Sequence, residues 1–139
     1  MIKQVGDNES YFIVTDELLK VSNAMISTDM LFRNMANNPH VSTHLYFNEN
    51  DEVKGGVVLN DVIDITGKHV FFIMFQFRDV HFPELAEMFT DYVNKLAKEK
   101  GATKIVFTSS RNTKVIERAV SRYGFHKAYD VWEMEVSNV

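Results

Sequence analysis

The fold is decided by residues 70–108, VFFIMFQFRDVHFPELAEMFTDYVNKLAKEKGATKIVFT. The run from Val70 to Phe77 is apolar and aromatic on both faces, which is typical of a central strand covered on both sides. Pro83 to Lys100 carries apolar side chains at helical spacing, and Gly101 supplies a left-handed stop. Lys104 to Thr108 is a short strand of buried type. A strand, a helix and a strand of these lengths predict a right-handed parallel crossover.

The residues before this unit predict an antiparallel meander. Two extended runs, His44 to Phe47 and Val53 to Leu59, flank residues 48–51, which have the composition of a turn. A second turn at Asp64 to Lys68 leads into the central strand. Three successive antiparallel strands followed by a parallel crossover make the predicted sheet mixed.

The two ends of the chain are predicted to add helices and further strands. Tyr11 to Val14 is β-prone and predicts a strand that leads into a first helix, and Ser27-Thr28-Asp29 offers the cap of a second. After the crossover, Asn112 can cap a helix that ends at Gly124. Tyr129 to Val136 alternates as a last strand would.

Length and composition exclude several classes of protein. The 139 residues suffice for one domain, and 45% hydrophobic with 24% charged residues indicates a globular chain that buries a core. A net charge of -4 argues against a general nucleic-acid binder. The lack of cysteine excludes disulfides, thiolate zinc sites and a cysteine nucleophile, and suits a cytoplasmic protein. No apolar run approaches the ~20 residues of a membrane helix, and the polar start is no signal peptide, so no membrane partner is expected.

The crossover and the residues after it resemble an enzyme superfamily. The matching positions are Gly101-Ala102-Thr103-Lys104-Ile105-Val106-Phe107, then Asn112, Val115, Ile116 and Gly124-Phe125. Together with the element order, they are similar to the GNAT superfamily of acyl-CoA-dependent N-acyltransferases, most strongly over residues 53–136. The resemblance implies an α/β (α+β) fold in one domain over residues 1–139, with a mixed, mostly antiparallel sheet of six to seven strands flanked by about four helices. Small divergent chains of this style also resemble bacteriophage-encoded proteins.

The resemblance implies a phosphate-binding loop before the long helix. In the family, a loop of the form Gln/Arg-x-x-Gly-x-Gly/Ala opens this helix, and its N–H groups hold the cofactor's diphosphate at the helix N-terminus. The family spacing places the loop on residues 81–86, where only Ala86 matches. His81 replaces the Gln or Arg, Glu84 replaces the first glycine, and Pro83 removes a donor. We therefore expect acetyl-CoA binding to be weakened here, since Glu84 repels phosphate.

The central strand implies the rest of the cofactor site. In the family its main chain pairs with the pantetheine arm, and such donors do not depend on side-chain identity. Arg78 lies just upstream of the loop and adds positive charge. The positions implied for acetyl-CoA are Met74, Gln76, Arg78, His81, Leu85, Ala86 and Asn112.

The tyrosine that protonates the leaving thiolate in many family members has no counterpart at the expected place. Four residues before Gly124 the chain has Val120, and counting from Asn112 gives Ala119. Tyr123 lies nearby and is predicted to belong to the core. The catalytic residues, including any general base, are therefore left unknown.

A basic stripe and five scattered histidines complete the candidate groups. The stripe comprises Arg111, Lys114, Arg118 and Arg122, at spacings that share one helix face. It is a solvated face, a contact for the phosphates of coenzyme A, or a surface for an acidic protein or a nucleic acid, and the net charge disfavours the nucleic acid. The histidines show no ligand spacing, so no metal is expected.

Two functions follow from these observations. The first is a GNAT-like N-acyltransferase that uses acetyl-CoA to acylate an amine on a small molecule or a protein. The alternative is a catalytically degenerate GNAT-fold protein that acts by binding a protein or another macromolecule. Element order favours the first, and residues Pro83, Glu84 and Val120 favour the second.

Overall fold

In a computed structural model that describes residues 1–22, 24–108, 118, 121–128 and 131–136, the chain is organised around one sheet. Its strands lie side by side in chain order. They are β1 (Ile2–Val5), β2 (Val41–Phe47), β3 (Val53–Ile63), β4 (His69–Arg78) and β5 (Lys104–Phe107). The first four are antiparallel to their neighbours, and β5 runs parallel to β4. The predicted mixed, mostly antiparallel sheet is confirmed, with five strands in the described ranges instead of six to seven.

Three α-helices are described over their full length beside the sheet, where about four were expected. They are α1 (Asn8–Leu19), α2 (Thr28–Asn37) and α3 (Glu84–Lys100). The predicted cap of α2 is confirmed, because the Ser27 hydroxyl accepts a hydrogen bond from the Met30 amide at 3.1 Å. Gly101 ends α3 with a φ of 78°, in the left-handed region as predicted. None of these helices has the length and apolar character needed to cross a bilayer.

The prediction of a strand at Tyr11 to Val14 is wrong. These residues lie inside α1, and the strand at this end of the chain is β1, which pairs antiparallel with β2. The Asp7 carboxylate caps α1 by accepting from the Ser10 amide at 3.0 Å. Tyr11, Val14 and Leu18 then fall on one buried helical face. The helical period and the cap therefore outweigh the local β propensity.

The predicted last strand, Tyr129 to Val136, is also wrong where it can be compared. Residues 131–136 form no strand, and Val131, Trp132, Met134 and Val136 are all exposed. Alternation alone does not make a strand, because a strand also needs a partner for its main-chain hydrogen bonds. Of the helix predicted after Asn112, the structure describes Arg118, which is α-helical, and a 3-10 turn at Ser121–Tyr123, which Gly124 follows with a φ of 91°.

Two apolar cores lie on opposite faces of the sheet. The neighbouring residues Val57 and Val58 point to opposite sides, Val58 towards α1 and α2 and Val57 towards α3. Helix α3 sits directly on β3, since a Cβ atom on Gly55 would lie 2.9 Å from a ring carbon of Phe89. This close approach fixes the first turn of α3 above the end of β4.

Candidate functional site

A cleft opens where β4 and β5 stop pairing. Strand β5 pairs with β4 only from Val70 to Ile73, although β4 continues to Arg78. Beyond Ile73, one main-chain edge of β4 has no strand partner in the described part of the chain. The cleft has a volume of about 550 Å³ and lies between this edge and α3. Its polar lining side chains are Gln76, Arg78, Thr90, Thr108 and Tyr123.

A β-bulge lies at the point of separation. Val58 pairs with Phe75 and Leu59 pairs with Ile73, so Met74 is the extra residue of β4. A bulge leaves its extra residue out of the ladder and turns the following side chains. Here it places Met74 and Phe75 against the core under α1 and α2. The bulge thus marks the position at which the main chain of β4 becomes available to a ligand.

The loop between β4 and α3 uses most of its own amides. The Asp79 carboxylate accepts from the His81 amide at 2.9 Å, and the Asp79 carbonyl accepts from the Phe82 amide at 3.0 Å. The Phe82 carbonyl accepts from the Leu85 amide at 3.1 Å. Pro83 has no N–H group. Of the predicted phosphate loop, the amides of Glu84 and Ala86 are the donors without a partner among the described residues.

The charges around the loop are mixed. The Lys54 ammonium lies 3.8 Å from the carboxylates of both Asp79 and Glu52, which partly neutralise it. Glu84 is exposed at the first residue of α3. A diphosphate placed at this helix N-terminus would therefore find three occupied amides, only the amides of Glu84 and Ala86 free among the described residues, and two carboxylates. These residues do not fit a diphosphate, whereas the main chain of β4 beyond Ile73 has no strand partner in the described ranges.

The structure brings together part of the predicted cofactor site. Gln76, Arg78 and Ala86 all line the cleft. Met74 occupies the bulge, and the Leu85 side chain is buried in the core beneath α3. The His81 side chain is exposed on the loop, away from the lining of the cleft. Asn112 lies outside the described residues.

Tyr123 lines the cleft, although the sequence predicted a core role for it. It stands at the end of the 3-10 turn, near Phe125, whose ring packs on Phe107 with centroids 5.2 Å apart. The Arg122 guanidinium donates to the Tyr123 hydroxyl at 2.7 Å. The core prediction for Tyr123 assumes an α-helix, whereas a 3-10 turn rotates successive side chains by a different angle. The direction of the Tyr123 side chain therefore depends on the type of turn, for which the sequence has no signal.

A buried histidine, His44, lies behind the cleft, and no role was predicted for it from the sequence. His44 on β2 is 1% exposed and faces α3. Its Nδ1 atom lies 2.7 Å from the Tyr92 hydroxyl and its Nε2 atom 2.8 Å from the Ser42 hydroxyl. Burial lowers the pKa of His44 to about 4, so the ring is neutral at pH 7. This group ties α3 to the sheet next to Val57, a residue of the cleft wall.

The other predicted groups contribute little to the cleft. Arg118 is exposed, Arg122 binds Tyr123, and Arg111 and Lys114 lie outside the described residues. In the described ranges, no three His, Asp or Glu side chains converge as metal ligands would.

Comparison with known proteins finds similarity in structure and not in sequence. No protein-family model and no curated protein matches the chain. A putative acetyl transferase from Pyrococcus furiosus aligns with a TM-score of 0.78 at 16% identity, covering 98% of this chain and 99% of that one. AAC(6')-Iy, in complex with the bisubstrate analogue CoA-S-monomethyl-acetylneamine, aligns with a TM-score of 0.74 at 12% identity, covering 99% and 97%.

A ribosomal-protein-alanine N-acetyltransferase from Brucella melitensis biovar Abortus 2308 aligns with a TM-score of 0.72 at 12% identity, covering 98% of this chain and 99% of that one. At these identities the similarity establishes the fold alone. The chain has the GNAT fold that its sequence implied.

Proposed function

We propose that the chain is an N-acyltransferase that moves an acyl group from a thioester to an amine in the cleft between β4, β5 and α3. The observation that carries the proposal is the separation of β4 from β5 after Ile73, with the Met74 bulge at the point of separation. The fold shared with acetyltransferases supports it, since AAC(6')-Iy holds a CoA-based bisubstrate analogue.

The open edge of β4 is suited to bind and orient the donor. An acyl thioester supplies an activated carbonyl carbon and a thiolate leaving group. In this proposal, main-chain groups around Met74 and Gln76 pair with the amides of a pantetheine arm, as an added strand does. An N–H group of the same edge can donate to the thioester oxygen while negative charge develops on it. Acyl transfer thus uses the backbone of β4 and does not depend on its side chains.

Tyr123 is placed to supply a proton to the leaving group. Because the Arg122 guanidinium donates to the phenolic oxygen, the phenolic proton is left to donate elsewhere. In the transfer, a C–N bond to the amine forms and the C–S bond breaks. The Tyr123 proton passes to sulfur, and the amine loses its proton to solvent. Tyr123→Phe should lower kcat about a hundredfold with little change in KM, while Tyr46→Phe, outside the cleft, should leave both unchanged.

Calorimetric titration tests the proposed function without knowledge of the acceptor. Acetyl-CoA and S-acetyl-pantetheine are titrated into the protein, and at least one should release or absorb heat at or below ~1 mM, a binding free energy of about -4 kcal/mol. Ala86→Trp fills the cleft and should abolish the heat. The matched control is Ala36→Trp on the exposed face of α2, which should bind as the unaltered chain does. If neither ligand gives a measurable heat of binding, the proposed enzyme function is rejected.

A macromolecule-binding protein of GNAT fold is the second candidate. It is favoured by the loop before α3, whose amides are bonded internally to Asp79 and Phe82. Silence with both thioesters in the titration would favour this candidate over the enzyme. The predicted stripe would then be tested by reversing Arg118 and Arg122 to Glu and measuring binding to poly-glutamate, an acidic polypeptide probe.

A further inference from the structure

The two ends of the cleft differ in what they offer to an acyl donor. The end near the bulge has a main-chain edge with no strand partner in the described ranges, and apolar side chains, among them Ile73, Phe107 and Phe125. A pantetheine arm has two amides and a dimethyl group, which match a strand edge and an apolar wall. This end of the cleft is therefore suited to bind the pantetheine arm of a thioester.

The end near the loop lacks what a nucleotide diphosphate requires. An anion at a helix N-terminus is held by amides that have no other partner. Here the amides of His81, Phe82 and Leu85 bond to acceptors within the loop, and Pro83 has none. The two amides left without a partner among the described residues are those of Glu84 and Ala86, so a diphosphate would have to break the other bonds to gain a full set of donors.

Charge at the loop end works in the same direction. The Asp79 carboxylate both accepts from the His81 amide and holds the Lys54 ammonium, so it competes with a phosphate for two donors. Glu84 adds an exposed carboxylate at the first residue of α3. Arg78 lines the cleft and adds one positive charge there. Its single charge does not replace a cradle of amides.

We infer that the chain takes an acyl-pantetheine thioester by its arm alone and does not bind the diphosphate of coenzyme A. This inference rests on the proposed function, since it names the donor class for the same cleft. The arm reaches a protein in two forms, as a small molecule or attached to a carrier protein. Both forms share the chemistry recognised here, which is an acylated pantetheine without a nucleotide.

Titration calorimetry compares three donors: S-acetyl-pantetheine, acetyl-CoA and an acyl carrier protein bearing an acetylated phosphopantetheine arm. We expect acetyl-CoA to bind no more tightly than S-acetyl-pantetheine, and up to about fivefold more weakly, because the nucleotide adds no favourable contact and Glu84 repels its phosphates. If the carrier protein binds more tightly than S-acetyl-pantetheine, the donor is an arm attached to a carrier protein. If the two bind equally, the donor is a small molecule. Both results support the inference. Acetyl-CoA binding tenfold or more tightly than S-acetyl-pantetheine would overturn it while leaving the proposed function intact.

Two variants test whether the loop sets this selectivity. Glu84→Gln should tighten acetyl-CoA binding about fivefold and leave S-acetyl-pantetheine binding unchanged. Asp79→Ala removes the acceptor of the His81 amide and one of the two carboxylates beside the Lys54 ammonium, and should act in the same direction. The matched control is Glu99→Gln at the far end of α3, roughly 22 Å from Glu84 and beyond the screening length.

A ratio of the two affinities that stays constant in Glu84→Gln would overturn the inference, because the loop would then have no part in selecting the donor. Glu84 is exposed, so this variant retains the fold even where Asp79→Ala does not. Silence with all three donors would reject the proposed function itself, and the inference with it.

Discussion

Acid should destabilise this protein through a single buried histidine. His44 is 1% exposed, and both ring nitrogens are bound by hydroxyls, those of Tyr92 and Ser42. A neutral imidazole has one donor and one acceptor, and hydroxyl groups satisfy either. Protonation would place a charge in the core, where no described carboxylate forms an ion pair with the ring. Burial accordingly lowers the pKa of His44 from 6.5 to about 4.

The sign and size of the effect follow from proton linkage. The unfolded chain binds a proton at this ring below pH 6.5, whereas the folded chain binds it only below about pH 4. The stabilisation is therefore complete above pH 6.5 and is lost progressively as the pH falls to about 4. The difference between the two pKa values corresponds to about 3 kcal/mol. Such a loss is a large part of the stability of a domain of this size.

Urea unfolding measured between pH 7 and pH 4.5 tests this prediction. In wild-type protein the free energy of unfolding should fall by about 1.4 kcal/mol per pH unit below pH 6.5. His44→Gln should show a weaker slope, and His40→Gln, at an exposed site, should keep the full one. Asp7, Glu52 and Asp64, whose pKa values are lowered by hydrogen bonds from Ser10, Asn48 and Thr66, titrate in all three proteins and cancel in the comparison. An unchanged slope in His44→Gln would refute the reasoning.

Three further substitutions have expected outcomes in the same unfolding assay. Tyr92→Phe should cost about 1–3 kcal/mol by leaving a ring nitrogen of His44 without its partner, and a smaller loss would mean that water replaces the hydroxyl. Gly56→Ala should cost about 1–3 kcal/mol, because its Cβ would lie 2.6 Å from the Phe77 ring; a neutral result would show that the ring moves freely. Gly101→Ala should cost about 1 kcal/mol at a φ of 78°, and no cost would contradict the left-handed cap.

The parts of the fold that depend on local sequence could be predicted. Helix α3 was expected at Pro83 to Lys100 and is found at Glu84–Lys100. Pro83, the acidic first turn, the basic last turn and Gly101 are all signals within the helix or next to it. The prediction of a strand at Tyr11 to Val14 failed because the β propensity of these residues conflicts with the helical spacing of their apolar side chains. The helix forms, and Asp7 caps it. The choice between them is made by burial against α2 and β2, which lie farther along the chain.

The site was harder to predict because its features arise from long-range contacts. His44 and Tyr92 are 48 residues apart, and neither has a local signal that points to the other. The hydrogen bond from the His81 amide to Asp79 belongs to a loop that is also held by the Asp79 amide donating to the Lys54 carbonyl at 2.7 Å. No residue pattern within the apolar run around Met74 indicates the bulge. The position of the loop could be counted from Gly101, but the occupation of its amides could not.

The mismatch between the loop and the family motif therefore does not decide whether the chain is an enzyme. The slot beside β4 exists because β5 stops pairing at Ile73 and the bulge follows, and both are properties of the main chain. Binding of a nucleotide depends instead on the free amides and charges of residues 79–86, which lie at the other end of the cleft. Substitutions in the loop can therefore remove nucleotide binding and leave the slot beside β4 intact. A chain without the diphosphate contact would still offer the main chain of β4 to a thioester, so the donor has to be tested without its nucleotide.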